Sequence, residues 1–109
     1  MSHEKYADCI DACNRCADAC DHCSTACLAE DNIADMAQCI KNDIDCAAMC
    51  RLAAGAMARD SDIAGKICSL CAQICEMCAE ECSKHEADHC QKCADACSEC
   101  AKACRSMTA

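Results

Sequence analysis

The chain is short and acidic, with 109 residues, a net charge of −9 and 19 cysteines. The charge argues against binding to nucleic acid, which requires a basic surface, and no apolar run approaches the length of a membrane span. Pro, Trp and Phe are absent and Gly occurs only twice, which favours long helices over sheets. We expect one all-α domain over residues 1–109.

The predicted first helix covers residues 3–28, and its cysteines recur at alternating intervals of four and three residues. This spacing averages 3.5, which is the repeat of the buried positions in helices packed side by side. Leu, Ile or Val normally fill these positions, so thiols there make the interior itself the candidate functional site. The cysteines of this helix are Cys9, Cys13, Cys16, Cys20, Cys23 and Cys27.

The predicted second helix covers residues 33–58 and follows a turn and cap at residues 30–32. Its buried positions hold Met36, Cys39, Asp43, Cys46 and Cys50. An Asp at such a position is unusual, and two interpretations remain. Either a local shift of register turns Asp43 outward, or its carboxylate points inward, near the metal sites that a core of thiols could form. In the second case a metal ion or a thiol proton must compensate the buried charge.

The predicted third helix covers residues 63–84, after a cap at residues 60–62, and the fourth covers residues 89–107. Their cysteines are Cys68, Cys71, Cys75, Cys78 and Cys82 on the third helix, and Cys90, Cys93, Cys97, Cys100 and Cys104 on the fourth. We call the 19 cysteines together the cysteine seam. Because the connections are short, successive helices should be antiparallel neighbours. The sequence therefore predicts an antiparallel up-down four-helix bundle with a cysteine-lined core.

A second row of apolar residues accompanies the cysteine seam on the second and third helices. It either packs on the flank inside the bundle or forms the face of a homo-oligomer. We call it the aliphatic stripe, and it comprises Ile33, Ile40, Ile44, Ile63, Ile67, Leu70, Ile74 and Met77.

Charge balance distinguishes the metals that such a core could hold. Four thiolates around Zn²⁺ carry a net charge of −2, so a core filled with such sites buries uncompensated charge. One Cu(I) ion per thiolate leaves the core neutral, and soft thiolates prefer this soft ion. Thiol-based sequestration of Zn²⁺ or Cd²⁺ and a thiol redox sensor are the alternatives. No arrangement typical of an enzyme stands out, and a cytosolic location, where thiols stay reduced, is the default.

The chain resembles the cytosolic branch of the bacterial copper storage proteins over essentially its whole length. The resemblance lies in the runs CIDACNRCADACDHCSTAC, CIKNDIDCAAMC, CSLCAQICEMCAEEC and HEADHCQKCADACSECAKAC. It implies a four-helix bundle that fills with many Cu(I) ions on pairs of cysteine thiolates. It also implies a homotetramer and storage in the cytosol, with a copper chaperone as a candidate donor.

Members of this family also keep His and other non-cysteine ligands near one end of the bundle. In this chain the connections after the first and third helices lie at the same end, which we call the hairpin end. The residues predicted to converge there are Cys27, Met36, Cys39, Cys82, His85, His89 and Cys90. Met36, His85 and His89 are the predicted labile ligands that pass ions inward. Loop solvation and helix capping are the alternative roles of the two histidines.

Two further histidines and two methionines are predicted to have structural roles and not to bind metal. His22 lies beside a cysteine and is predicted to be on the flank of its helix, and His3 to be a terminal residue. Met57 and Met107 lie at the end opposite the hairpin end, beside Tyr6. We expect both methionines to fill the core there, because the flexible Met side chain adapts to irregular gaps.

Overall fold

The structure is a computed structural model that describes residues 6–108, with side chains for residues 6–107. The four helices are α1 (Ala7–Leu28), α2 (Ile33–Ala58), α3 (Ala64–Ser83) and α4 (Asp88–Thr108). The bundle measures 47 × 20 × 18 Å. Within the described range, no helix has both the length and the apolar character needed to cross a membrane. The interpretation of His3 falls outside the described residues.

The helices pack in a ring in which α1 and α3 each contact both α2 and α4. Sulfur contacts fix their directions: Cys9 lies 3.8 Å from Cys104 at one end of the bundle, and Cys27 lies 3.8 Å from Cys90 at the other. Helices α1 and α4 are therefore antiparallel. The predicted all-α, antiparallel four-helix bundle is confirmed.

Alanine and cysteine allow these helices to pack closely. Ala is the strongest helix former, and Ala17 and Ala72 are fully buried beside the cysteine seam. Neither residue type has a long side chain, so a bundle only 18–20 Å across brings sulfur atoms of different helices into contact. Because the core is narrow, the thiols of different helices lie within contact distance of one another.

The predicted cap at residues 30–32 is wrong, whereas in the predicted cap at residues 60–62 the Ser61 hydroxyl accepts a hydrogen bond from the N–H of Ile63, at 3.4 Å. Asn32 precedes α2 without a capping hydrogen bond from its side chain, and Ile63 holds the equivalent position before α3. Asp60 belongs instead to the end of α2, where it has a positive φ of 52°. The N–H groups of Asp60 and Ser61 donate to the carbonyls of Met57 and Ala56, at 3.1 and 2.9 Å. These bonds form a Schellman motif, which satisfies the last carbonyls of the helix.

The structure overturns flank packing for most of the aliphatic stripe. Its exposed members have 45–58% of their surface accessible, and they are Ile33, Ile44, Ile63, Leu70 and Met77. Only Ile40, Ile67 and Ile74 are partly buried against the core. Because cysteine and alanine already occupy the inward faces of α2 and α3, the rest of the stripe faces outward.

The end opposite the hairpin end differs from the prediction at one residue. Met57 is fully buried, as expected, and the partly buried Tyr6 packs against the core. The prediction for Met107 is wrong, since it is 36% exposed. It lies beyond Cys104, the last cysteine of α4, and has passed the end of the core. His22 is exposed on α1, as predicted for a flank residue.

Candidate metal centre

The cysteine seam forms a continuous column of sulfur atoms along the bundle axis. All 19 thiols are buried, and none is more than 2% exposed. Sulfur atoms of different helices approach to between 3.3 and 4.0 Å, with Cys39 and Cys82 as the closest pair and Cys16 and Cys75 across the bundle at 4.0 Å. The cysteines that the spacing placed inward therefore do lie inside, in contact with each other.

Groups of four thiols overlap along this column. In one group the sulfurs of Cys16, Cys46, Cys50 and Cys75 all lie within 4.8 Å of one another, and in a second those of Cys16, Cys20, Cys46 and Cys97 do so. The two groups share two members. A sulfur that belongs to two groups can bridge two ions, so the arrangement suits a chain of linked metal ions better than isolated sites.

Pairs of thiols one helical turn apart provide the shortest local units. Each helix has at least one Cys-x-x-x-Cys pair whose sulfur atoms lie 3.8–4.0 Å apart, since residues i and i+4 share a face. Cys23 and Cys27 on α1 and Cys46 and Cys50 on α2 are examples. Each pair offers two ligand atoms from a single rigid element.

Asp43 points into the column and is fully buried. Its Oδ1 accepts hydrogen bonds from the thiols of Cys78, Cys82 and Cys93, at 3.2, 3.4 and 3.3 Å. The outward register shift is therefore wrong. Burial raises the pKa of this carboxyl group to about 8, and repulsion from Cys93 adds to the effect. The hydrogen bond from Cys78 opposes this shift only in part, so Asp43 keeps its proton up to about pH 8 in the metal-free protein.

Burial also favours the protonated form of three thiols near the two ends of the column. Desolvation of the thiolate raises the pKa of Cys27 and of Cys90 near the hairpin end. At the other end it raises the pKa of Cys68 to about 11. A metal ion that binds these sulfurs must displace their protons, so its binding should strengthen as the pH rises.

At the hairpin end a histidine touches the column. The Nδ1 of His89 lies 3.5 Å from the sulfur of Cys90, 3.6 Å from that of Cys23 and 3.9 Å from that of Cys27. On the other side of the ring, Nε2 lies 2.9 Å from Oε1 of Glu30. The ring is 14% exposed, so it stands between the solvent and the first thiols.

Met36 and His85 lie in the same region, Met36 within the buried core beside the cysteines. Both line a cleft of about 510 Å³ that also includes Glu30 and Lys84. Met36 is 4% exposed, and Nε2 of His85 lies 2.9 Å from Oε2 of Glu81. The structure therefore gathers the three predicted labile residues at one end, and their role as ligands stays a prediction.

Sequence reasoning missed the carboxylate partners of the two histidines. Glu81 lies in the last turn of α3 and His85 follows two residues after the helix ends, so their separation of four residues could have suggested the contact. Glu30 and His89 are 59 residues apart, and only the meeting of the two connections in space brings them together. The contact of Cys23 with His89 was missed for the same reason.

Comparison with known proteins identifies the family to which this architecture belongs. The sequence profile of the family described as copper storage protein, Csp, matches residues 2–109. The chain belongs to the copper storage protein family. This finding confirms the resemblance that the four cysteine-rich runs indicated, and the family is one of storage proteins rather than enzymes.

Solved structures of copper storage proteins have the same fold. The Cu(I)-bound copper storage protein BsCsp3 is 50% identical to this chain, with a TM-score of 0.92 over 100% of both chains. A cytosolic copper storage protein of Streptomyces lividans, solved with five coppers, is 38% identical, with a TM-score of 0.93 over 98% of this chain and 94% of that one. The uncharacterized cysteine-rich protein YhjQ of Bacillus subtilis is 51% identical over 70 residues, which are 63% of this chain and 65% of YhjQ.

Proposed function

We propose that this protein stores Cu(I), at about one ion per cysteine, on the thiolates of its core. The observation that carries the proposal is the continuous column of 19 buried thiols. Among the described residues, Asp43 is the only buried charged side chain, so no protein cation is available inside the column. The positive charge that balances the thiolates has to come from the metal.

Sequestration of Zn²⁺ or Cd²⁺ is the second candidate, favoured by the groups of four thiols within 4.8 Å. Each such site would carry a net charge of −2 in the interior, which is costly at low dielectric. Separate sites would also need separate sets of thiols, whereas the groups share members such as Cys16 and Cys46. A chain of linked Cu(I) ions accounts both for the thiols that belong to two groups and for a core without net charge.

An anaerobic titration of the reduced protein with Cu(I), against a competing chelator, tests this function. We expect saturation near the thiol count of 19, because neutrality requires one ion per thiolate. A parallel titration with Zn²⁺ serves as the control and should saturate at a quarter of that number or less. Saturation by Cu(I) at four or five ions would point to discrete tetrahedral sites and contradict storage.

We assign the 19 cysteines, with Asp43 among them, as the binding column, and Met36, His85 and His89 as labile ligands at the hairpin end. A combined His85→Ala and His89→Ala variant should take up and release Cu(I) more slowly, since thioether and imidazole ligands hold the ion weakly on its way inward. Its capacity should fall by only an ion or two. His22→Ala, an exposed histidine on α1, is the control, and stopped-flow loading is the measurement.

Unchanged uptake rates in the double variant would place the route at the Met57 end of the bundle. A collapse of capacity would mean instead that the two histidines hold the bundle together. Either result would contradict the assignment of these residues.

We further propose that the protein acts without catalysis, as a homotetramer in the cytosol, and that residues 1–109 form one domain. The exposed aliphatic stripe supports assembly, because an apolar face of this kind is typical of an interface. The related Streptomyces lividans protein is described as cytosolic. A copper chaperone remains the proposed donor, and the ions would pass from it at the hairpin end.

A further inference from the structure

The ring of His89 is held between one carboxylate and three sulfur atoms. Its Nε2 contacts Glu30, from the connection between α1 and α2, at 2.9 Å. Its Nδ1 faces Cys90, Cys23 and Cys27, at 3.5, 3.6 and 3.9 Å. The two ring nitrogens thus have opposite surroundings, and the protein chain supplies both.

These surroundings determine where the ring carries its proton. A carboxylate has only acceptor atoms, so the contact with Glu30 requires a proton on Nε2. In a neutral imidazole the other nitrogen then keeps a lone pair, which on His89 points at the thiols. In the metal-free protein Nδ1 accepts from S–H groups, and it becomes free to bind a metal ion once those thiols lose their protons.

We propose that Glu30 is a positioning residue that fixes His89 in this tautomer and so presents Nδ1 as a ligand to incoming Cu(I), an inference that rests on the proposed function. Metal-binding histidines commonly donate their second N–H to a carboxylate, which orients the ring and strengthens the ligand. The N–S separations also suit a shared ion, because ligand bonds of about 2.0–2.3 Å are typical of nitrogen and sulfur sites.

The second histidine of the hairpin end shows why the pair of contacts matters. His85 has the same bond from Nε2 to a carboxylate, that of Glu81 at 2.9 Å. Within residues 6–108, however, the hydrogen bonds of its ring include no thiol. Only His89 joins a carboxylate on one side to the sulfur column on the other.

The first test is the tautomer of His89, read from ¹⁵N chemical shifts of the reduced, metal-free protein. We expect the wild-type ring to carry its proton on Nε2 alone. Glu30→Ala should give a mixture of tautomers, whereas Glu30→Gln should keep the wild-type form because the amide oxygen still accepts the N–H. Asp31→Ala removes an exposed charge from the same connection and should leave His89 unchanged. A proton on Nδ1 in the wild type would overturn the proposal.

The second test is the rate of Cu(I) uptake by the same variants. Glu30→Ala should slow uptake by about 10-fold, the lower end of the 10–100-fold loss of metal affinity or activity that follows removal of such a partner, while Glu30→Gln and Asp31→Ala stay close to wild type. Combining Glu30→Ala with His89→Ala should slow uptake no further than His89→Ala alone, because the two residues act through one nitrogen. Additive effects, or Glu30→Gln as slow as Glu30→Ala, would show an effect of charge and contradict positioning.

The two tests separate this inference from the proposed function. A protein that fails to bind Cu(I) stoichiometrically would refute storage, yet its His89 tautomer would still report the action of Glu30. Full copper capacity with an unchanged tautomer in Glu30→Ala would refute the positioning role alone. Circular dichroism of each variant confirms that the helices are intact.

Discussion

Asp43 places a carboxyl group among sulfur atoms, where an ionised carboxylate is poorly solvated. Its three thiol donors, Cys78, Cys82 and Cys93, stabilise the charge only in part, since S–H is a weak donor. The proton is therefore held to higher pH, and the pKa of Asp43 rises to about 8. In the unfolded chain an Asp has a pKa of about 3.9.

This difference predicts how the stability of the metal-free protein depends on pH. Between about pH 4 and pH 8 the folded state holds a proton that the unfolded state has lost, so the free energy of unfolding falls as the pH rises. The slope from this group approaches about 1.4 kcal/mol per pH unit. Asp43→Asn should remove that contribution, as measured by denaturant unfolding under reducing conditions.

Asp45→Asn is the matched control, because Asp45 lies two residues away on α2 and is exposed. It should leave the pH dependence as it is in the wild type. A difference between wild type and Asp43→Asn that stays constant from pH 4 to pH 8 would show that Asp43 does not carry the extra proton.

At the residue scale the sequence predicts the position of the cysteines well, but it predicts the contacts of the polar residues near them poorly. The 3.5-residue spacing alone places the 19 thiols in the core. For Asp43 the same spacing left two orientations open, because an inward carboxylate depends on donors that come from α3 and α4. The bond between Glu30 and His89 depends on how two connections meet, which no local pattern encodes.

Among the elements, α2 shows how local chemistry sets a helix end. Its predicted bounds, residues 33–58, agree with the structure. Asp60, just after it, was nevertheless misread as part of the cap for α3, since Asp is common at both kinds of position. Only the positive φ of Asp60 and the bonds to Met57 and Ala56 identify a Schellman motif.

Asp60→Gly should therefore stabilise the bundle. Glycine adopts a positive φ without steric cost, whereas Asp does so at a penalty. We expect the free energy of unfolding of the metal-free protein to rise by about 0.5–1 kcal/mol, as measured by denaturant unfolding, because the cost of the left-handed conformation exceeds the extra backbone entropy that glycine loses on folding. Asp62→Gly, in the same connection but without a positive φ, should give no gain. Equal stabilisation by both changes would contradict the Schellman interpretation.

On the scale of the whole molecule, the thiol core leaves apolar surface on the outside. Bulky aliphatic residues usually fill the interior of a bundle, but here cysteine and alanine fill it. The larger side chains of the stripe, among them Ile44, Leu70 and Met77, are 47–58% exposed. A second copy of the chain that covered this face would remove it from water, which is the basis of the proposed tetramer.

Charges introduced into the stripe should therefore break the proposed tetramer. Ile44→Glu combined with Leu70→Glu would bury carboxylates in the interface, which is costly. We expect sedimentation to give four times the chain mass of 11.6 kDa for the wild type and close to the monomer mass for the variant. Leu28→Glu, at a residue 57% exposed outside the stripe, is the control and should stay tetrameric. A monomeric wild type would refute the assembly.

Because the cysteine seam is regularly spaced, the number of its positions depends on the length of the helices. Each helix contributes two buried positions for every seven residues, and seven residues lengthen a helix by about 10 Å. A bundle longer by one such repeat in all four helices would gain eight core positions without becoming wider. The number of core positions is thus proportional to the length of the molecule, so a homologous bundle with cysteine at every added position would gain capacity in steps of eight.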